Sequence, residues 1–131
     1  MEFALLAPLF IGVLAAFSDL GIGAYRHMQA VEAAEAGAQS AVRQGYNSAA
    51  VEAAAAGATS LPSISTSSTQ FCGCPSGTAL AAVGCGTTCP DGAAAGGYVT
   101  VSVATPYTAL LPYPGIASPL TLSAQSTVRL Q

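Results

Sequence analysis

The sequence predicts an α+β fold: a long N-terminal helix of transmembrane character followed by a small antiparallel sheet domain stapled by disulfides. Three observations carry this reading. No polar side chain interrupts the run from Phe3 to Phe17. Four cysteines fall within the 18 positions from Cys72 to Cys89. After Leu61 the alphabet shifts to Ser, Thr, Pro and Gly, and the apolar period changes from 3.6 to 2, the spacing of a half-buried strand.

The helix comes first. Glu2 stands immediately before the apolar run, and Phe3 to Tyr25 spans roughly 34 Å as a helix, enough for a bilayer core of about 30 Å. A carboxylate at the head of such a helix is favoured by the positive end of the helix dipole, and would be costly in hydrocarbon without a partner. Asp19, deep in the same segment, is expected to face an interface rather than lipid. A cleaved secretory signal fits poorly, because the flank carries an acid and no Lys or Arg, and no clean A-x-A site precedes a polar start. Polarity rises after Tyr25 with no break in helical pattern, so one helix is expected from about residue 3 to 44, bent locally at Pro8, which removes a backbone hydrogen bond.

Small residues recur every fourth position at Ala33, Gly37, Ala41 and Gly45, and again at Gly12 and Ala16. Such a stripe lets another backbone approach closely, although an Ala-rich helix produces the pattern by composition alone. Gly45 is a helix stop, and Asn47 or Ser48 caps a short second helix over Ala49 to about Ala56. Three segments follow: an apolar membrane or assembly helix (1–25), a polar helical continuation with the short second helix (26–58), and a small β-rich domain (59–131).

Within the last segment, Tyr98–Val103 and Leu120–Leu130 alternate as strands, with Ile64–Phe71 a weaker candidate. Pro106, Pro112, Pro114 and Gly115 are expected to form the loop between the first two. Tyr107, Tyr113, Pro112, Pro114 and Ile116 read as a satellite core beneath that loop. Cys72, Cys74, Cys85 and Cys89 read as two disulfides of an oxidising compartment. Their C-x-C and C-x3-C spacings do not match zinc knuckles. Three connectivities are open, of which the nested pairing Cys72–Cys89 with Cys74–Cys85 suits a hairpin. Gly73, Gly77, Gly84, Gly86, Gly92, Gly96 and Gly97 are expected to belong to a disulfide-bound loop.

Charged residues make up 7% of the chain, against roughly 25% in an ordinary soluble domain. With three Arg, no Lys and six acids the net charge is −3, which leaves no basic patch for nucleic acid. His27, the single histidine, has no partner at acid–base or ligand spacing, and Glu32 and Glu35 read as a solvated face. No hydrolase, phosphate-loop or zinc-protease motif occurs. The expectation is a protein that is not an enzyme and holds no cofactor or metal.

The opening Met1-Glu2-Phe3-Ala4-Leu5-Leu6-Ala7-Pro8-Leu9-Phe10, the helix end at Ala34–Arg43, Cys72-Gly73-Cys74-Pro75-Ser76-Gly77 with Cys85 to Cys89, and Tyr98-Val99-Thr100-Val101 followed by Tyr107-Thr108 and Tyr113-Pro114-Gly115 together resemble the TadE-like family. These are minor pseudopilins of bacterial tight-adherence (Tad, or Flp-type) pilus systems, and the resemblance spans nearly the whole chain. It implies a short positive leader removed by a prepilin peptidase. It also implies membrane lipid, other pilus subunits and an inner-membrane assembly platform as partners. The C-terminal domain would then lie in the periplasm, or outside the cell once the subunit joins a pilus. Glu2 resembles the family's acid near the processed N-terminus and Phe3 the aromatic after it; with Pro8 they are the assembly residues it implies. A carboxylate in a helix bundle gains most from a neighbour's free amine. Neither leader nor cleavage site is read in these residues. Arg26 alone would orient the C-terminal part inward, but the cysteines argue for the outside and outweigh one Arg. The alternative is a single-pass periplasmic binding or scaffold protein that does not polymerise.

Overall fold

The computed structural model of the chain describes residues 3–111 and 118–130, with side chains from Leu6 onward. Glu2, Pro112, Tyr113, Pro114 and Ile116, and the side chain of Phe3, lie outside the described residues. Helix α1 runs Phe3–Gln44, 42 residues, passing through Pro8 without interruption; at 1.5 Å per residue it is about 63 Å long. It ends where Gly45 takes φ 81°, a left-handed conformation that glycine adopts without a steric penalty. Helix α2 (Ser48–Gly57) is capped by Asn47, whose side-chain oxygen accepts from the Ala50 N–H at 3.1 Å.

Four antiparallel strands follow: β1 (Ser65–Ser76), β2 (Ala79–Val83), β3 (Gly96–Tyr107) and β4 (Leu120–Arg129), in the order β2-β1-β3-β4. The cysteine segment was expected as loop, but it contains strand β2, and Gly73 lies in β1 and Gly96 and Gly97 in β3. The two-residue connection Gly77-Thr78 between paired Ser76 and Ala79, with Gly77 at φ 60°, is a tight hairpin of the kind that a leading glycine favours. Pro106, expected in the β3–β4 loop, lies inside β3 opposite Thr121. The β1 ladder ends at Ser65↔Ala104, so at Pro106 the strand has a neighbour on one side only, where a missing N–H is tolerated.

The sheet is one layer and the two helices are the other. Val99, Val101 and Val103 project from the inner face of β3 onto Ala30, Ala33, Ala34, Ala38 and Ala41 of α1 and Val51 and Ala55 of α2, all buried. Each buried valine contributes roughly 1.5–3 kcal/mol, and the alanines let the layers come close enough for it. Glu52 fastens α2 to β1 by accepting from both the backbone N–H (3.0 Å) and the hydroxyl (3.1 Å) of Ser68, whose carbonyl accepts from Tyr46 Oη at 3.1 Å. The outer face is polar, with Thr100 and Thr127 hydroxyls 2.8 Å apart.

The structure pairs Cys72 with Cys85 and Cys74 with Cys89, which replaces the nested pairing. Register explains this. Cys74 lies opposite Ala81 and Cys72 opposite Val83, so the chain leaving β2 moves away from Cys74 and brings Cys85 to Cys72. The turn closed by Thr87 N–H to Gly84 O (3.2 Å) then carries Cys89 back towards Cys74.

Candidate functional site

Below the sheet, α1 is a bare apolar rod. Leu9, Phe10, Ile11, Leu14 and Phe17 are all exposed. The helix is long and apolar enough to cross a membrane, and of its most apolar window only 6% is buried within the molecule. In water such a surface carries a large free-energy cost, so it requires a lipid or helical partner.

A collar of polar contacts marks where the rod meets the domain. Asp19 is 3% exposed. Tyr107 Oη, from the end of β3, donates to the Asp19 main-chain carbonyl at 2.9 Å and to its carboxylate, and the Leu110 N–H reaches the two carboxylate oxygens at 3.1 and 3.2 Å. Gly23, one turn above Asp19, lies against the Tyr107 ring, where a Cβ would make ordinary van der Waals contact at 3.6 Å. Arg26, a further turn on, places its guanidinium carbon 5.3 Å from the ring centre, within reach of the attraction between a cation and an aromatic face. Arg26 therefore has a local structural use in holding the sheet. Replacing Asp19 by Ala is expected to weaken this junction by about 2 kcal/mol. In a double-mutant cycle with Tyr107→Phe in detergent micelles, the losses should be less than additive; strict additivity would show that the two side chains do not act on each other.

Asp19, Gly23, Arg26, Ala30, Ala33, Gly37 and Ala41 succeed one another three or four residues apart, so they lie on one helix face. Gly12 and Ala16 continue it downward. The upper part, from Ala30 to Ala41, is occupied by α2 and the sheet. A Cβ at Gly37 would lie 3.0 Å from both Ala55 Cβ and Val101 Cγ1, whereas one at Gly12 meets nothing within 4 Å. Gly45 is exposed and serves as the helix stop. The disulfide lobe hangs at the other end of β3, about 36 Å from Tyr107 at 3.3 Å per residue.

His27 is exposed and lines an apolar cleft beside Tyr107. Among the described residues no three His, Cys, Asp or Glu side chains converge. The collar was not legible in advance, because Tyr107 and Asp19 are 88 residues apart. A buried-type aromatic after a β run and a lone acid in an apolar helix were the only signals.

No curated protein and no solved structure matches the chain. A family model described as TadE-like protein matches residues 1–39, the rod and the helical turns that carry the sheet, and over that segment the chain is similar to TadE-like proteins.

Proposed function

We propose that this chain is a non-catalytic, pilin-like subunit that takes part in assembling a Tad-type pilus. It would be held in the inner membrane by the lower part of α1, with the sheet domain on the periplasmic side. The observation that carries this is the coincidence of the exposed apolar rod with the segment that matches the family model.

The rod is suited to exchange of surroundings. Lipid tails and the apolar faces of neighbouring helices solvate it almost equally, so its transfer from bilayer to helix bundle has no large hydrophobic barrier and is decided by packing. The open small residues Gly12 and Ala16 give a neighbouring helix a place to approach. The upper stripe, with Gly37, is already filled and holds the subunit's own domain. Glu2 and Phe3 would meet a neighbour's N-terminus, and Pro8 would set the local path of the rod. The prepilin peptidase and the assembly platform are the partners this role implies, with no nucleic acid among them. The two disulfides support an oxidising compartment for the domain.

A photo-crosslinking amino acid at Leu9, in cells carrying the pilus system, tests the reading. Adducts with other pilus components are expected. Adducts with lipid alone, while the machinery is active, would instead favour a membrane-anchored scaffold that never enters an assembly.

A further inference from the structure

We propose that the end of the sheet domain at Leu110 and Leu120 is seated in the phospholipid bilayer, at the boundary between headgroups and acyl chains, beside the exit of α1. The inference rests on α1 lying in a bilayer and adds where the domain stands relative to it.

The first argument is continuity. The exposed apolar surface of α1 does not stop at the collar, since Leu20 and Ile22, above Asp19, are still exposed. The domain stands at that level: Leu110 is hydrogen-bonded through its N–H to the Asp19 carboxylate, and Leu120 is the cross-strand partner of Tyr107.

The surface at that level is suited to lipid. Leu20 of the helix and Leu110 of the domain are 70% and 66% exposed. Beside Leu20 opens a cleft of about 490 Å³, lined by Ala16, Leu20, Gly23, Ala109, Leu120 and Leu122 among others, apolar enough to receive the end of an acyl chain. The one acid at this depth, Asp19, is enclosed by donors from the protein, as an ionisable group in this region must be. Arg26 stands about 10 Å higher on the helix, at the height of the phosphates, and Tyr25 is exposed beside it, the position where aromatic residues favour the interface.

The chain contains no tryptophan, so single substitutions give unambiguous fluorescent reporters in the full-length protein. Leu110→Trp, Leu120→Trp, Phe10→Trp and Ala93→Trp variants would be reconstituted in phosphatidylcholine/phosphatidylglycerol vesicles with and without lipids brominated near the headgroup end of the chain. Leu110→Trp and Phe10→Trp are each expected to lose about half of their emission to the brominated lipid, because both would lie in or at the edge of the hydrocarbon. Ala93→Trp, in the disulfide lobe, is expected to lose none, and Leu120→Trp repeats the measurement should the first variant fold poorly. Quenching of Phe10→Trp without either leucine variant would overturn the seating while leaving the anchor intact. Absence of quenching at Phe10→Trp would overturn both. A leucine variant that is blue-shifted yet unquenched would show a protein partner in place of lipid, and would also overturn the proposal.

Discussion

Replacing all four cysteines by serine is expected to lower the stability of the sheet domain by about 4–5 kcal/mol. The bridges close loops of 13 and 15 residues' separation, each worth about 3 kcal/mol in restricted freedom of the unfolded chain. The loops overlap, so the second closure adds less than the first. The loss should be local at first. Strand β2 is a short edge strand with β1 as its only strand neighbour, so its amides and those of the lobe at 84–95 should exchange with solvent before the β3–β4 ladder does. Pairwise variants check the connectivity. Cys72→Ser with Cys85→Ser removes one bridge and leaves the other, so it should cost only about a third as much as the quadruple change. Cys72→Ser with Cys89→Ser deprives both bridges of a partner and should cost as much as the quadruple change. The reverse ranking would establish the nested pairing.

Gly37→Leu is expected to cost about 3 kcal/mol. A Cβ at this position would sit 3.0 Å from the Ala55 and Val101 side chains and 3.2 Å from the Val51 carbonyl oxygen, and that oxygen cannot retreat unless α2 moves. Three further carbons have nowhere to go, so α2 must lift from α1 and the valine layer must open. Gly37→Ala sets about 1 kcal/mol of gained helix propensity against these close contacts and should be much milder. Gly12→Leu, on the same face of the bare rod, should leave the domain unchanged. Denaturant midpoints of the detergent-solubilised proteins read all three. A Gly37→Leu variant of undiminished stability would mean that α2 does not pack on this stripe.

The long helix and its stop were readable because they depend on local rules. Ala, Gln, Glu and Arg continue the helical pattern past Tyr25, Gly45 supplies the left-handed end, and Asn47 the next cap. Strands β3 and β4 were readable from Val99, Val101 and Val103 and from the alternation after Leu120, and the first part of β1 from the weaker pattern over Ile64–Phe71. Strand β2 was hidden because Ala79–Val83 lacks alternation and lies among cysteines and glycines, although Ser76-Gly77-Thr78 carried a two-residue turn signal. Pro106 misled because a proline rule that holds for central strands does not hold where a strand has lost one neighbour.

The amino-acid sequence by itself determined the apolar rod, the change from helical to strand period and the presence of four closely spaced cysteines, since each depends on residues near one another along the chain. Only the tertiary structure decided which cysteines meet, which part of the small-residue face stays open and what encloses Asp19. Those outcomes depend on strand register and on layers brought together from distant segments, where a shift of a few ångströms changes every partner.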